Sequence, residues 1–290
     1  MKVTIIEPYG YCTGVANAIS LAYKVKKDNP NRRITILGML IHNEDTISQL
    51  EKDGINTLYS PDKSLLELID DVGYDDVVIL TAHGHAEEVE NKLRKLHIEF
   101  VDTTCPFVKL TFNEIKKAVL NGHEVIYIGK KNHPEANAAI SISPKVHLLD
   151  ISNKAIPNVK DDEPLIINQT TFSHLEIESI LDDIKKLFPN AKIFKSVCDA
   201  SSRRQDAILS LPSSIELIYV VGGKKSNNAK TLYELARNKY PKACVKLIQN
   251  ENDINEKDLV GLNQVAISSG ASTPKEITEK IKAKIESLCN

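Results

Sequence analysis

The sequence predicts an α/β protein of three similar units, each with a mostly parallel sheet, in a pseudo-threefold, trefoil-like arrangement. Three observations carry that expectation. Ninety-three residues separate Cys12 from Cys105 and another 93 separate Cys105 from Cys198, in a chain of 290 residues; one unit therefore repeats about three times, with the cysteine at the same place in each. Each cysteine follows a strand-like run (VTIIEP, IEFVDTT, AKIFKSV) and precedes a helical pattern. Between the cysteines, short β-branched apolar runs alternate with helix-period segments, which is the pattern of parallel strands joined by helical crossovers. The predicted units span 13–104, 105–197 and 198–290, with residues 1–12 adding a strand to the third.

Taken in order, the first unit reads as the strand VTIIEP, a helix over 15–27, RITILGML, a helix over 44–52, INTLY, a helix near 65–69 and DVVILTAHG. The second reads as IEFVD, a helix over 108–120, EVIYIG, PEANAAI, VHLLD, a weak stretch around Pro157, PLIINQT and a helix over 175–187. The third reads as KIFKSV, a helix over 203–209, IELIYVVGG, a helix over 229–239, VKLIQ, a short helix near Ile254, QVAISSG and a helix over 274–288. Short Pro- and Asn-rich joints separate these runs, and no long linker or low-complexity tract interrupts them.

Composition narrows the partners. Hydrophobic residues make up 42% of the chain, enough for a sizeable core. Lys and Arg number 37 against 39 Asp and Glu, with no basic block, so neither nucleic acid nor an anionic membrane is the expected partner. No leader-like segment and no run of eighteen apolar residues is found, which predicts a cytoplasmic protein. Five widely spaced cysteines, an odd number, argue against a disulfide framework and for free thiols. Cys244, in the apolar run ACVKLI, is predicted to be a small core residue, and Cys289 a bystander near the end.

Laying the units over one another brings further polar side chains into register. After the second strand come His42, His133 and Ser226, the last followed by Asn227 and Asn228; after the fourth come His83, Thr170 and Ser272. All sit at strand-to-helix turns, the end of a parallel sheet where ligands bind. Three thiolates are one short of a closed tetrahedral site and leave a coordination position open. A cubane 4Fe-4S cluster suits such an arrangement, with three irons tied by Cys12, Cys105 and Cys198 and the fourth available to a ligand. Three buried structural cysteines are the bland alternative, but those need no common register. The surrounding His, Ser, Thr and Asn side chains, with the N–H groups of the helices that follow, suit a phosphate or diphosphate. Glu135, beside His133, reads in two ways: as a carboxyl kept protonated by an apolar setting and able to donate, or as a helix-start glutamate favoured by the dipole. The pairs Lys130-Lys131 and Lys224-Lys225 read as solvated loops. His97, His123, His147 and His174 have no counterparts in the other units, and His85 is a secondary candidate near His83.

The ordered motifs GYCTGV, LIHN, TAHG, DTTCPFV, NHPE, NQTT, VCDAS, GGKKSNN and SGASTP run the length of the chain. In them the sequence closely resembles the 4-hydroxy-3-methylbut-2-enyl diphosphate reductases (the LytB family), the last enzymes of the non-mevalonate isoprenoid pathway. That resemblance implies a trefoil-like protein around one 4Fe-4S cluster on Cys12, Cys105 and Cys198. It implies an iron–sulfur oxidoreductase of isoprene biosynthesis that removes the hydroxyl of (E)-4-hydroxy-3-methylbut-2-enyl diphosphate to give isopentenyl and dimethylallyl diphosphate. In it the substrate hydroxyl binds the unique iron, Glu135 donates the proton and Thr170 lies near the hydroxyl. His42, His83, His133, Ser226, Asn228 and Ser272, with Asn227 beside them, would contact the diphosphate. An external ferredoxin or flavodoxin is implied as electron donor, because the chain has neither a second cluster motif nor a Gly-x-Gly-x-x-Gly fingerprint. A non-catalytic iron–sulfur sensor or diphosphate-binding protein is the alternative reading. The chain departs from relatives at Ala136 and Ala138, where Val and Gly are common, and at Asn227. Ala138 predicts a loop with less backbone freedom than glycine allows.

Overall fold

The computed structural model describes residues 1–172 and 174–288, without the side chains of 174–176 and 179; the expectations for Cys289 and for the side chain of His174 fall outside the described residues. The chain begins with β1 (Lys2–Ile5), α1 (Thr13–Asp28), β2 (Ile34–Leu37), α2 (Glu44–Lys52), β3 (Ile55–Leu58), α3 (Leu65–Leu68), β4 (Val77–Leu80), α4 (Glu87–Lys95) and β5 (Glu99–Asp102). It continues with α5 (Pro106–Leu120), β6 (Val125–Gly129), α6 (Pro134–Ser141), β7 (Val146–Asp150), β8 (Leu165–Asn168), α7 (His174–Leu187) and β9 (Lys192–Phe194). The last part holds α8 (Asp199–Leu209), β10 (Leu217–Val221), α9 (Asn227–Lys239), β11 (Cys244–Ile248), β12 (Gln264–Ser269) and α10 (Lys275–Leu288).

Three parallel four-stranded sheets result, with one strand order: β3-β2-β4-β5, β7-β6-β8-β9 and β11-β10-β12-β1. The strand before each cysteine adds to the sheet that precedes it, and β1, which has no preceding sheet, pairs with β12. In every sheet the chain moves outward from one central strand (β2, β6, β10) to the edge and then returns to the other (β4, β8, β12), so the switch point falls between the two central strands. β2, β4, β6 and β10 are buried along their whole length, which is why they read as unbroken apolar runs.

The chain forms two compact units. The terminal unit comprises Met1–Val15, His42–Thr46 and Cys198–Asn290 and contains the β11-β10-β12-β1 sheet; the inner unit, Ala16–Ile41 and Ile47–Val197, contains the other two sheets. In the terminal unit, Ile218, Val220, Leu232 and Ala236 pack on one face of the sheet, and Leu217, Tyr219, Ile267 and Ile281 on the other.

Several expectations shift. α4 had no sequence signal because seven of its nine residues, EEVENKLRK, are polar; only Val89 and Leu93, one turn apart, are buried. The helix expected near Ile254 is instead a pair of 3-10 turns, Glu251–Asp253 and Glu256–Leu259, and the stretch around Pro157 is irregular. Cys244 is exposed and not a core residue: it opens β11, the edge strand of its sheet, where one side has no neighbouring strand to cover it. Ala138 lies inside α6, nearly buried, where alanine is a better helix former than the glycine it stands for.

Candidate active site

In the terminal unit, two cysteines sit where loops enter helices. Cys12 directly precedes α1 and its sulfur accepts the N–H of Val15 at 3.4 Å; Cys198 is the N-cap of α8 with its sulfur 3.1 Å from the Ser201 hydroxyl. Both are half-buried and outside any disulfide, and anionic sulfur at such a place meets the positive end of the helix dipole. The Cys12 backbone N–H donates to the Ala271 carbonyl at 2.9 Å, so the loop after β12 holds this cysteine.

The same loop organises the polar side chains. Ser226 caps α9, its hydroxyl accepting the Ala229 N–H at 3.3 Å, and Ser272 lies 3.5 Å from Ser226 and 3.4 Å from the His42 carbonyl. Asn228 bridges the unit: its amide donates to Ser201 at 2.9 Å and its carbonyl oxygen accepts the Ala271 N–H at 2.8 Å. Asn227 is half-buried at the first turn of α9. Gly223 permits the close approach of the loop after β10 to His42, because a Cβ there would stand 2.7 Å from the His42 carbonyl oxygen and 2.6 Å from a Glu44 carboxylate oxygen. Burial, with Lys225 and Lys230 nearby, pulls the His42 ring down to about 4, so it is neutral at pH 7.

Arg204 is a residue the sequence did not single out. Only 3% exposed, its guanidinium donates to the carbonyls of Gly10 at 2.6 Å, Ala200 at 2.9 Å and Ser269 at 3.2 Å. It thereby ties the segment before Cys12 to the first turn after Cys198. Burial disfavours its charge, while the Cys12 and Cys198 thiols are the groups that favour it.

In the inner unit, Cys105 repeats the pattern. It is the N-cap of α5, half-buried and outside any disulfide, and its N–H donates to the Ala82 carbonyl at 3.0 Å, two residues past β4 as Ala271 is two past β12. His83, in the same loop, meets His133 edge to face with ring centroids 5.8 Å apart. His133 caps α6: its Nδ1 accepts the Glu135 N–H at 3.2 Å, which leaves Nε2 to carry the proton of the neutral ring and act as a donor.

Glu135 is 1% exposed, and its carboxyl is held from three sides. Oε1 accepts the Thr170 N–H at 2.8 Å and the Tyr127 hydroxyl at 3.1 Å, and Oε2 accepts the Thr170 hydroxyl at 2.9 Å. Burial pushes this carboxyl up to about 7, against the pull of the Thr170 and Tyr127 hydrogen bonds. It is therefore a group that can hold or release a proton near neutrality, matched to general acid work. His85 is bound to Glu90 at 3.0 Å, and Lys130, Lys131, Lys224 and Lys225 are exposed.

Thiols, hydrogen-bonding side chains and a buried carboxyl, each at a turn from a parallel strand into a helix, give an α/β protein groups suited to a soft metal and to proton transfer. Comparison with known proteins narrows that class. A family described as LytB protein matches residues 3–286, and the chain belongs to that family. It is 37% identical, over 99% of its own length and 90% of theirs, to proteins called 4-hydroxy-3-methylbut-2-enyl diphosphate reductase from Bacillus cereus (strain AH820) and Bacillus mycoides (strain KBAB4). Among solved structures it is similar to the E-1-hydroxy-2-methyl-but-2-enyl-4-diphosphate reductase of Plasmodium falciparum, with a TM-score of 0.87, 26% identity, and coverage of 99% of this chain and 88% of that one. A structure of (E)-4-hydroxy-3-methyl-but-2-enyl diphosphate reductase, described as the terminal enzyme of the non-mevalonate pathway, matches with a TM-score of 0.68 at 26% identity, covering 98% and 99%. Among the described residues, no helix is long and apolar enough to cross a membrane.

Proposed function

We propose that this chain reduces (E)-4-hydroxy-3-methylbut-2-enyl diphosphate, expelling its hydroxyl as water and giving isopentenyl and dimethylallyl diphosphate. The reaction consumes two electrons and two protons per water released. The single observation that carries the mechanistic part is Glu135, a fully buried carboxyl poised near neutral pH and held by Thr170. Cys12, Cys105 and Cys198 would hold one 4Fe-4S cluster; their fit rests on three half-buried cysteines outside any disulfide, each at the entry to a helix. Bound there, the cluster supplies the electrons, delivered from outside by a ferredoxin or flavodoxin.

The chain's own residues do the rest. His42, His83 and His133, with Ser226, Asn227, Asn228 and Ser272, donate to the diphosphate oxygens, so the substrate's charge is met by directed hydrogen bonds and helix N-termini. Thr170 orients the Glu135 carboxyl and faces the substrate hydroxyl. Glu135 passes its proton to that hydroxyl as it leaves, and burial keeps bulk water from competing.

Anaerobic purification followed by iron and sulfide assay, and turnover with dithionite and a viologen dye, tests the whole. Iron, sulfide and turnover are expected; a cluster without turnover would instead mark a sensor. In the same preparation Glu135→Gln should keep iron and substrate affinity but lose about 10²–10⁴-fold in kcat. Near-normal kcat would show that Glu135 only starts its helix.

A further inference from the structure

Tyr127 touches Glu135 without belonging to the predicted ring of polar side chains. It sits at the middle of β6, paired with Ile167 of β8, and is 0% exposed. Its ring occupies the space beside Gly129, where a Cβ would stand 2.7 Å from Cε1, so the strand gives up a side chain to seat this phenol. A buried phenol hydroxyl needs a partner, and a phenylalanine would fill the same core without that demand. The partner here is Oε1 of Glu135, at 3.1 Å.

The two carboxyl oxygens are not equivalent. Oε1 has two donors, the Tyr127 hydroxyl and the Thr170 N–H; Oε2 has one, the Thr170 hydroxyl, which can reverse and accept. A backbone N–H cannot reverse. Burial, with Glu135 beside it, drives Tyr127 well above its ordinary range, so its hydroxyl stays protonated across any working pH.

We propose that Tyr127 is a positioning residue for the proton of Glu135: its fixed hydroxyl, together with the Thr170 N–H, occupies Oε1, so the exchangeable proton resides on Oε2, facing the Thr170 hydroxyl. This rests on Glu135 being the proton donor. The consequence for titration has a definite sign. Tyr127 donates to the ionised carboxylate and favours it; without that bond the neutral acid is favoured and Glu135 titrates at higher pH. The other titratable groups facing it are His133, at the start of the same helix and bonded to its N–H, and, through that ring, His83.

Infrared titration of the substrate-free holoprotein reads this without turnover, the Glu135 carboxyl band being the one that vanishes in Glu135→Gln. In Tyr127→Phe its midpoint should rise by about one pH unit or more, from the strength of a hydrogen bond to a charged group. The alkaline limb of kcat should move up with it, and KM should stay unchanged because Tyr127 is placed against Glu135 and not against substrate. Site-specific Tyr127→3-fluorotyrosine keeps the ring's packing and makes a stronger donor, so it should move the midpoint down; this arm stands even if the phenylalanine variant folds poorly. A midpoint unmoved in 3-fluorotyrosine protein, or a general loss of kcat in Tyr127→Phe with no shift in either band or limb, overturns the positioning role. Normal turnover of Glu135→Gln would instead overturn the donor assignment, whichever way the band moved.

Discussion

In the terminal unit the buried charged side chain that ties the cysteine segments together is a cation, Arg204; in the inner unit the buried group beside Thr170 is an acid, Glu135. Arg204 satisfies its donors on three carbonyls and finds its favourable electrostatics in Cys12 and Cys198. Glu135 gathers three donors and no cation, and titrates near neutral pH. The two regions share a backbone contact: a cysteine N–H is held by the carbonyl two residues past β4 in one and two residues past β12 in the other. The difference teaches that the repeat supplies places for ligands, while the side chains around each place decide between holding negative sulfur and handling a proton.

The largest effects should come from the thiols. Cys12→Ser, Cys105→Ser and Cys198→Ser should each strip or badly destabilise the iron centre, because a hydroxyl is a hard and poor substitute for thiolate, whereas exposed Cys244→Ser should leave iron content unchanged. Iron and sulfide assays on the four variants decide it; full retention in Cys198→Ser would break the proposed equivalence of the two regions.

Next in size is an opposed pH dependence of stability. Glu135 rises from 4.5 to about 7 in the fold, so its contribution is fully present below pH 4.5 and is lost as pH rises through 7. His42 falls from 6.5 to about 4, so its contribution is present above pH 6.5 and is lost as pH falls toward 4. Each swing is roughly 3 kcal/mol at its limit. Anaerobic denaturant unfolding against pH should therefore show Glu135→Gln gaining on the parent above pH 7 and His42→Gln gaining on it below pH 5. Parallel curves for both variants and the parent would remove the contrast.

The smallest effect sharpens the role of the inner histidines. His133→Phe removes an Nε2–H donor while keeping a ring against His83, so iron should stay and substrate affinity should fall roughly tenfold. Anaerobic calorimetry with substrate measures it, and loss of iron with normal binding would place His133 on the metal.

The repeat, the cysteine at each helix entry and the polar residues after the second and fourth strands were legible because they depend on spacing and on local patterns of period two and 3.6, which survive in one dimension. The reading of Glu135 was open between helix start and proton donor, since burial is a property of the whole core; the structure shows a carboxyl with 1% exposure held by Thr170 and Tyr127. Arg204 and Tyr127 gave no signal, as an arginine in a helix and a tyrosine in a strand look ordinary until their donors are seen to converge. α4 is too polar for periodicity to reveal, and the exposure of Cys244 follows from β11 lying at an edge, which strand order alone decides. His42 reads as part of the first repeat, yet its loop packs with Ser272 and Gly223 of the third. Sequence by itself determined which residue types stand at which turns; the tertiary structure decided their protonation and their partners, because desolvation and hydrogen bonding arise only when segments distant in the chain exclude water together.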